Sequence, residues 1–206
     1  DVWARLPSYR WQAPQSGQAL TFETAMLTQD QVMVGTASVD LYMQSTADDA
    51  DLQVTLSEIR PDGQEMFVQS GWLRASQRKL AAEATPLWPQ HTHLREDVQP
   101  LSHVGGADWS QVRVGVPAFA HVFRKGSRLR LTIDTPGGTR AAWKFKLLPL
   151  PTDTSHRVAH DRGHASSLLL PTLAGVSAPS PRPACPSLRG QPCRAYTPFA
   201  NARVMP

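Results

Sequence analysis

The 206-residue sequence predicts an all-β fold, a two-sheet sandwich of jelly-roll type with short helices. Apolar and polar residues alternate along several stretches, as in strands that bury one face. A Pro-Asp-Gly triplet separates two of these stretches, as in a hairpin turn. No stretch longer than about ten residues keeps a helical period free of Gly and Pro, so any helix should be short.

The chain opens with a segment that has no periodicity. Residues 1–18 contain aromatic residues and prolines, and we expect them to form an extended lead-in that lies across a neighbouring surface. Because the sequence begins at Asp1 without an initiator Met or an apolar leader, we expect a processed chain or a fragment of a longer one.

Strand patterns follow in order along residues 19–173, the predicted sandwich. Alternation is clearest at Val39–Met43 and Leu52–Leu56, and Pro61-Asp62-Gly63 should turn the chain into the strand Glu65–Arg74. The further predicted strands are Thr21–Met26, Val112–Val116, Leu129–Ile133 and Ser167–Leu170. The best helix candidates are Ser76–Ala84 and Ala118–Phe123.

The net charge of +4 belongs to the end of the chain. Of the 21 Lys and Arg residues, five lie from Arg162 onward, whereas all 17 Asp and Glu residues precede it. The body is therefore close to neutral, which argues against nucleic-acid binding. No apolar run approaches the roughly 20 residues of a membrane-spanning helix, so we expect no membrane partner.

Residues 174–206 form a Pro-rich tail whose composition cannot build a core of its own. Its two cysteines, Cys185 and Cys193, are the only ones in the sequence. A local disulfide is the favoured interpretation over a zinc site, which needs two further ligands. A disulfide in turn predicts an extracellular protein.

Ser76 and Lys79 have the S-x-x-K spacing of some serine acyl-transfer enzymes. A nucleophilic serine needs a neutral lysine in a buried cleft, whereas Lys79 follows Gln77 and Arg78 in a polar run that should keep it protonated. No G-x-S-x-G pentapeptide occurs in the chain either. The sequence therefore predicts no catalytic residue, and an independent S-x-x-K enzyme is the weakest alternative.

Metal sites and cofactors are not predicted. Two histidine groups have suggestive spacings, His91 and His93 with His103, and His156, His160 and His164 at every fourth position. Loop histidines with local hydrogen bonds explain both groups more simply. Acidic residues at 48, 49 and 51 supply only three carboxylates, fewer oxygens than calcium requires, so a solvated turn is favoured.

An ordered set of motifs spans residues 20–173. The motifs are Thr24–Leu27, Val32–Leu41, Asp49–Leu52, Pro61-Asp62-Gly63, Gly71–Ser76, Phe123–Gly126, Leu129–Ile133 and His160–Pro171. This set resembles the C-terminal non-catalytic domain of the X-Pro dipeptidyl-peptidase and cocaine-esterase (CocE/NonD) serine hydrolases. The resemblance implies a galactose-binding-like jelly roll, packed on an upstream α/β-hydrolase domain that carries the catalytic triad. Residues 174–206 lie outside the pattern.

We therefore expect a secreted, non-catalytic sandwich that packs on the catalytic domain of a serine hydrolase acting on peptide or ester bonds and shapes its substrate cleft. Self-association is a further expectation. The aromatic residues expected at the interdomain contact are Trp3, Trp11, Trp72, Trp88 and Trp109. The alternative is a free-standing carbohydrate-binding module, which would show exposed coplanar aromatic rings beside loop carboxylates.

Overall fold

The computed structural model describes residues 11–136, 146–186, 191–199 and 203–205. Its β-strands are β1 (Leu20–Glu23), β2 (Gln31–Ser45), β3 (Asp51–Ile59), β4 (Gln64–Arg74), β5 (Ser110–Phe123), β6 (Arg128–Asp134), β7 (His156–Ala159), β8 (Ser167–Leu169), β9 (Cys193–Ala195) and β10 (Arg203–Val204). Short 3-10 helices occupy Ala75–Gln77 and Arg95–Asp97. The predicted all-β class is confirmed.

Two sheets face each other across one apolar core. The six-stranded sheet has the order β10-β1-β6-β3-β4-β9, and in the four-stranded sheet β2 pairs with β5, β7 and β8. Alternate residues of β2, β3, β5 and β6 fill the space between the sheets, as period-two patterning requires. The sandwich is therefore confirmed, and its jelly-roll topology stays a prediction.

The hairpin between β3 and β4 follows the sequence prediction. Antiparallel pairing runs from Asp51 opposite Arg74 to Ile59 opposite Glu65. Gly63 takes the positive φ of 79° that this turn needs, and the Asp62 carboxylate accepts the Gln64 backbone N–H at 3.1 Å.

Both helix predictions need correction. Residues 118–123 belong to β5, where they pair with β2 up to Phe123 opposite Gln31. Six residues are too few to form a stable helix by themselves, so the pairing with β2 decides their conformation. Of the predicted helix at 76–84, only the 3-10 turn Ala75–Gln77 forms. The residues after it run through an irregular connection to β5.

The Pro-rich tail adds both outer strands of the six-stranded sheet. Strand β9 pairs antiparallel with Gln64–Met66 of β4, and β10 pairs parallel with β1. Cys185 is joined by a disulfide to Cys193, the first residue of β9, with Cα atoms 5.7 Å apart. The described part of the tail thus takes part in the sandwich, because its backbone extends both edges of the sheet.

A buried charge network fixes the tail to the sheet. Arg130 is 0% exposed and donates to Glu23 at 2.6 and 2.9 Å and to Glu65 at 3.0 Å. Arg194 of β9 donates to the same Glu65 at 2.8 Å, and the Tyr196 ring covers the Arg130 guanidinium at 4.7 Å. The tail therefore supplies both charge and aromatic cover to the outer face of this sheet.

Candidate functional surface

Large apolar side chains are exposed along one part of the chain, residues 72–98. This part contains the end of β4 and the irregular connection that follows it. The exposed fractions are 43% for Trp72, 37% for Leu80, 48% for Trp88, 49% for Leu94 and 47% for Val98. Scattered apolar residues are normal on a surface, whereas those that lie together in one groove are typical of interaction sites.

Trp72 and Trp88 line a common cavity of about 440 Å³, here called the tryptophan groove. Leu87, Pro89, Gly115 and Pro117 are among its other lining residues. Trp72 also borders a second cavity of about 390 Å³ with Leu147, whose side chain is 42% exposed. The apolar surface therefore extends from one indole to the other and on to Leu147.

Hydrogen bonds fix the Trp72 indole and the backbone of Trp88. The Trp72 Nε1–H donates to Gln53 Oε1 at 2.8 Å across the β3–β4 pair. The backbone N–H of Trp88 donates to Thr85 Oγ1 at 3.1 Å and to the Thr85 carbonyl at 3.2 Å, in a tight turn. A ring held as that of Trp72 is loses little conformational entropy when a partner covers it.

The irregular connection is anchored to the sandwich at several points. Ser38 of β2 donates its hydroxyl to the Pro86 carbonyl at 2.6 Å, and the Gln99 N–H donates to the Ser76 carbonyl at 3.0 Å. Pro89 lies over Gly115 of β5, where an added Cβ would come within 3.2 Å of the Pro89 ring. The groove therefore stands on a fixed support.

Ser76 and Lys79 are separately engaged and do not form a nucleophile and its base. The Ser76 hydroxyl donates to Asp49 Oδ2 at 2.6 Å, while the Lys79 ammonium pairs with Asp97 at 2.5 Å. The hydrogen bond from Lys79 lowers the pKa of Asp97 below its ordinary value. The Lys79–Asp97 ion pair thus links two parts of the irregular connection between β4 and β5.

The three acidic residues around the start of β3 point to different partners. Asp48 lies 3.1 Å from His103, Asp49 accepts the Ser76 N–H and hydroxyl, and Asp51 pairs with Arg74 at 2.9 Å. Carboxylates occupied in this way do not converge on a common centre, as a calcium ion would require.

The histidines also fall into separate settings. The His91 and His93 rings are 5.6 Å apart beside the tryptophan groove, and burial lowers the pKa of His91. His156 begins β7, and His164 packs between Tyr42 and Trp109 at 5.5 and 5.4 Å. Within the described residues, no group of three or more His, Cys, Asp or Glu side chains is placed to hold a metal.

The five tryptophans expected at an interdomain contact lie in different places. Trp72 and Trp88 share the groove, whereas Trp109 contacts His164. Trp11 packs under the Arg194 guanidinium at 3.8 Å and against Phe67, beside the tail. Trp3 lies outside the described residues.

Sequence reasoning did not single out as site residues Leu87 and Leu147, which line the cavities beside the two indoles. Both belong to irregular segments of the structure. The available signal was the high density of apolar residues in a stretch without strand or helix periodicity. Apolar side chains in such a stretch have no regular position in the core.

The family described as the X-Pro dipeptidyl-peptidase C-terminal non-catalytic domain matches residues 4–169. The chain belongs to this family. The resemblance predicted from the motifs is thereby confirmed, and the match ends before the Pro-rich tail. An X-Pro dipeptidyl-peptidase C-terminal domain is the non-catalytic part of a hydrolase family.

Longer proteins contain regions similar to this C-terminal domain. It is 30% identical over 162 residues to the Mycobacterium bovis protein named "Putative serine esterase Mb1866c", with 77% of the chain and 24% of that protein covered. A Mycobacterium tuberculosis protein named "Putative serine esterase MT1883" matches to the same extent. The chain thus spans about a quarter of the length of these curated relatives.

Solved structures share the fold of the C-terminal domain at low identity. A CocE/NonD family hydrolase from Staphylococcus aureus has a TM-score of 0.58 and 21% identity, with 75% of this chain and 30% of that chain covered. An α-amino acid ester hydrolase gives 0.56 and 19%, with 76% and 26% covered. An aminopeptidase from a Thaumarchaeota archaeon gives 0.57 and 15%, with 82% and 28% covered.

None of the helices in the described ranges has the length and apolar character needed to cross a membrane.

Proposed function

We propose that the chain is the accessory β-sandwich of a serine hydrolase that cleaves peptide or ester bonds, and that it packs on the catalytic α/β-hydrolase domain through the tryptophan groove. The observation that carries the proposal is the pair of indoles, Trp72 and Trp88, exposed by 43% and 48% in one cavity. The family's non-catalytic description and the greater length of the relatives support a catalytic partner in the same protein.

The energy available from this contact is appreciable. A tryptophan buries up to roughly 250 Å² when fully covered, so the remaining exposed half of each ring offers about 100 Å². At about 25 cal/mol per Å², covering both rings contributes on the order of 5 kcal/mol before the costs of association. A rigid wall of this kind beside the catalytic domain would also limit the outer side of its substrate cleft.

The test is substitution of the groove in the protein that contains the catalytic domain. Trp72→Ser and Trp88→Ser should lower the thermal midpoint of that protein and reduce kcat/KM, because the two domains lose their contact. Leu169→Ser is the matched control, since Leu169 is similarly exposed and lies in β8, outside the groove. Equal behaviour of the groove variants and the control contradicts the proposal.

A carbohydrate-binding module is the second candidate. The tryptophan groove supports it because Glu83 and Gln90 line the same cavity as the two indoles, which is the combination of ring and polar group that sugars require. Affinity electrophoresis through neutral polysaccharides decides between the two functions. If the polysaccharide retards the chain and Trp88→Ala abolishes the retardation, the carbohydrate-binding module is favoured. If the chain is not retarded and the groove substitutions lower kcat/KM, the accessory domain is favoured.

We propose an extracellular location for the protein, on the support of the pairing of Cys185 with Cys193. Alkylation of the native protein before and after reduction, followed by mass spectrometry, is the test. Two blocked cysteines before reduction are expected, and two freely alkylated cysteines contradict the location. Self-association of the chain remains a prediction. Light scattering after size-exclusion chromatography would test it by measuring the molar mass, which should exceed that of one chain.

A further inference from the structure

We propose that the open side of the sandwich binds one alkyl chain, such as that of a fatty acid, between its two sheets. The site is a cavity of about 580 Å³ whose walls come from β1, β2, β6, β7 and β8. It is separate from the tryptophan groove, and the proposal does not depend on the proposed function. The volume falls within the range of roughly 300–1,000 Å³ that is usual for small-molecule sites.

The floor of this cavity is aliphatic and buried. Val39 and Leu41 of β2 face Leu129, Leu131 and Ile133 of β6, and all five side chains are buried. Interiors of sandwiches are normally filled at close packing, and unfilled volume lowers stability. A hydrocarbon in contact with this floor would restore the packing without introducing a polar group.

The upper walls are apolar side chains that remain partly exposed. Phe22 and Met205 stand on the side of the six-stranded sheet, and Val158, Leu168 and Leu170 stand on the other side. Large side chains from both sheets thus contact water along one seam, although they already pack against the core. Covering them is favourable in proportion to the apolar area removed from water.

The polar groups of the site lie at its rim. Thr24, His160 and Ser167 line the opening, and His160 and Ser167 are exposed. Ser166 is already engaged, because its hydroxyl donates to the Ala159 carbonyl at 2.5 Å and accepts the Tyr42 N–H at 2.9 Å. The hydrocarbon part of a fatty acid can therefore enter the cavity while its carboxylate stays in water at the rim.

An alkyl chain fits this seam better than a peptide segment does. Strand β1 is paired with β6 on one side and with β10 on the other. Among the described strands, β7 and β8 pair only with β2, and their open edges are four and three residues long, so most of an inserted peptide finds no strand partner. The backbone N–H and C=O groups of such a peptide would lose water against Val, Leu and Ile side chains, at a large cost in free energy. A hydrocarbon has no such groups to satisfy.

Calorimetric titration of the chain with octanoate, decanoate and dodecanoate, each below its micelle concentration, tests the proposal. Affinity should rise about fourfold per added methylene until the cavity is filled. Leu168→Trp, which places an indole in the cavity, should weaken decanoate binding at least tenfold. Leu169→Trp is the matched control on the adjacent exposed residue and should bind as the unsubstituted chain does.

Two outcomes overturn the proposal: no saturable binding of any alkanoate, or equal affinity of the two tryptophan variants. A photoreactive decanoate on the unsubstituted chain gives a measurement that needs no variant. Labelling within residues 129–133 and 158–170 is expected. Labelling confined to the tryptophan groove would instead assign the alkanoate to the interdomain surface and contradict the inter-sheet site.

Discussion

At the scale of single residues, the outer face of the six-stranded sheet depends on ionic groups that have no access to water. Arg130 is fully buried between Glu23 and Glu65, and Arg194 supplies a second cation to Glu65. Removing one member of a buried ionic network leaves the remaining charges buried without a partner. This lowers the free energy of unfolding strongly, even where an apolar replacement of the whole network would not.

Arg130→Met should therefore destabilise the chain by about 3 kcal/mol, measured as the free energy of unfolding in urea. Arg74→Met is the control, because Arg74 forms a more exposed pair with Asp51 and its loss should cost under about 1 kcal/mol. Similar costs for the two substitutions would show that the Arg130 network does not hold the sheet face together.

Asp134 predicts a dependence of stability on pH. Burial raises the pKa of this carboxyl to about 7, against a hydrogen bond with Gln53 and the charge of Arg194, which both lower it. The folded state therefore retains a proton that the unfolded chain has already released above pH 4 or so. As pH rises from about 4 to above 7, the contribution of Asp134 to stability falls.

Asp134→Asn should remove this fall and stabilise the chain at pH 8 by about 2 kcal/mol, measured by urea unfolding at pH 5 and pH 8. Asp161→Asn is the control, since hydrogen bonds from Gly163 and His164 N–H groups lower the pKa of Asp161 and place its titration below this range. An unchanged pH slope in the Asp134 variant contradicts the assignment.

At the scale of elements, the two sheets approach most closely where β4 crosses β5. A Cβ added at Gly71 would lie 2.0 Å from the Gly115 carbonyl oxygen, which no side chain tolerates without displacement of the backbone. Gly115 in turn carries Pro89, so the same crossing supports the tryptophan groove. The groove therefore depends on Gly115, which lines it, and on Gly71, which does not.

Gly71→Ala should force β4 and β5 apart and cost about 3 kcal/mol in the free energy of unfolding. It should also change the fluorescence of Trp72, the next residue in the chain. Gly163→Ala, where the nearest atom to an added Cβ is a flexible side-chain oxygen at 3.2 Å, is the matched control. Full stability of the Gly71 variant would contradict the close crossing.

The elements also show how far the sequence could predict the fold. The β3–β4 hairpin was predictable because local signals suffice: alternation on both strands and a turn at Pro61-Asp62-Gly63. Residues 118–123 were wrongly expected to be helical because their strand state depends on pairing with β2, far away in the chain. The edge strands β9 and β10 lacked a pattern because backbone pairing needs no particular side chains.

The same distinction applies to the candidate surface. Trp72 and Trp88 were predictable as residue types that favour interfaces, but their meeting in one groove depends on where the connection after β4 is anchored. Trp11 and Trp109 have the same chemistry and lie elsewhere because other partners, Arg194 and His164, cover them. Composition therefore identified the candidates, and long-range contacts selected among them.

At the scale of the whole molecule, the outer face of the six-stranded sheet has two unlike parts. The tail covers one part, around Arg130, through β9 and the Arg194 and Tyr196 side chains. The other part carries the Trp72 indole, which stays exposed beside Trp88 in the tryptophan groove. A chain that covers one part of this surface with its own tail and leaves aromatic rings exposed on another is well suited to docking on a larger domain.

Hydroxyl-radical footprinting tests this docking most directly. The oxidation rates of Trp72 and Trp88 are measured in the chain alone and in the protein that joins it to a catalytic domain, with Trp109 as the internal reference. We predict that both indoles are oxidised severalfold more slowly in the joined protein, while the rate at Trp109 is unchanged. Equal oxidation of Trp72 and Trp88 in the two proteins would contradict docking through the tryptophan groove.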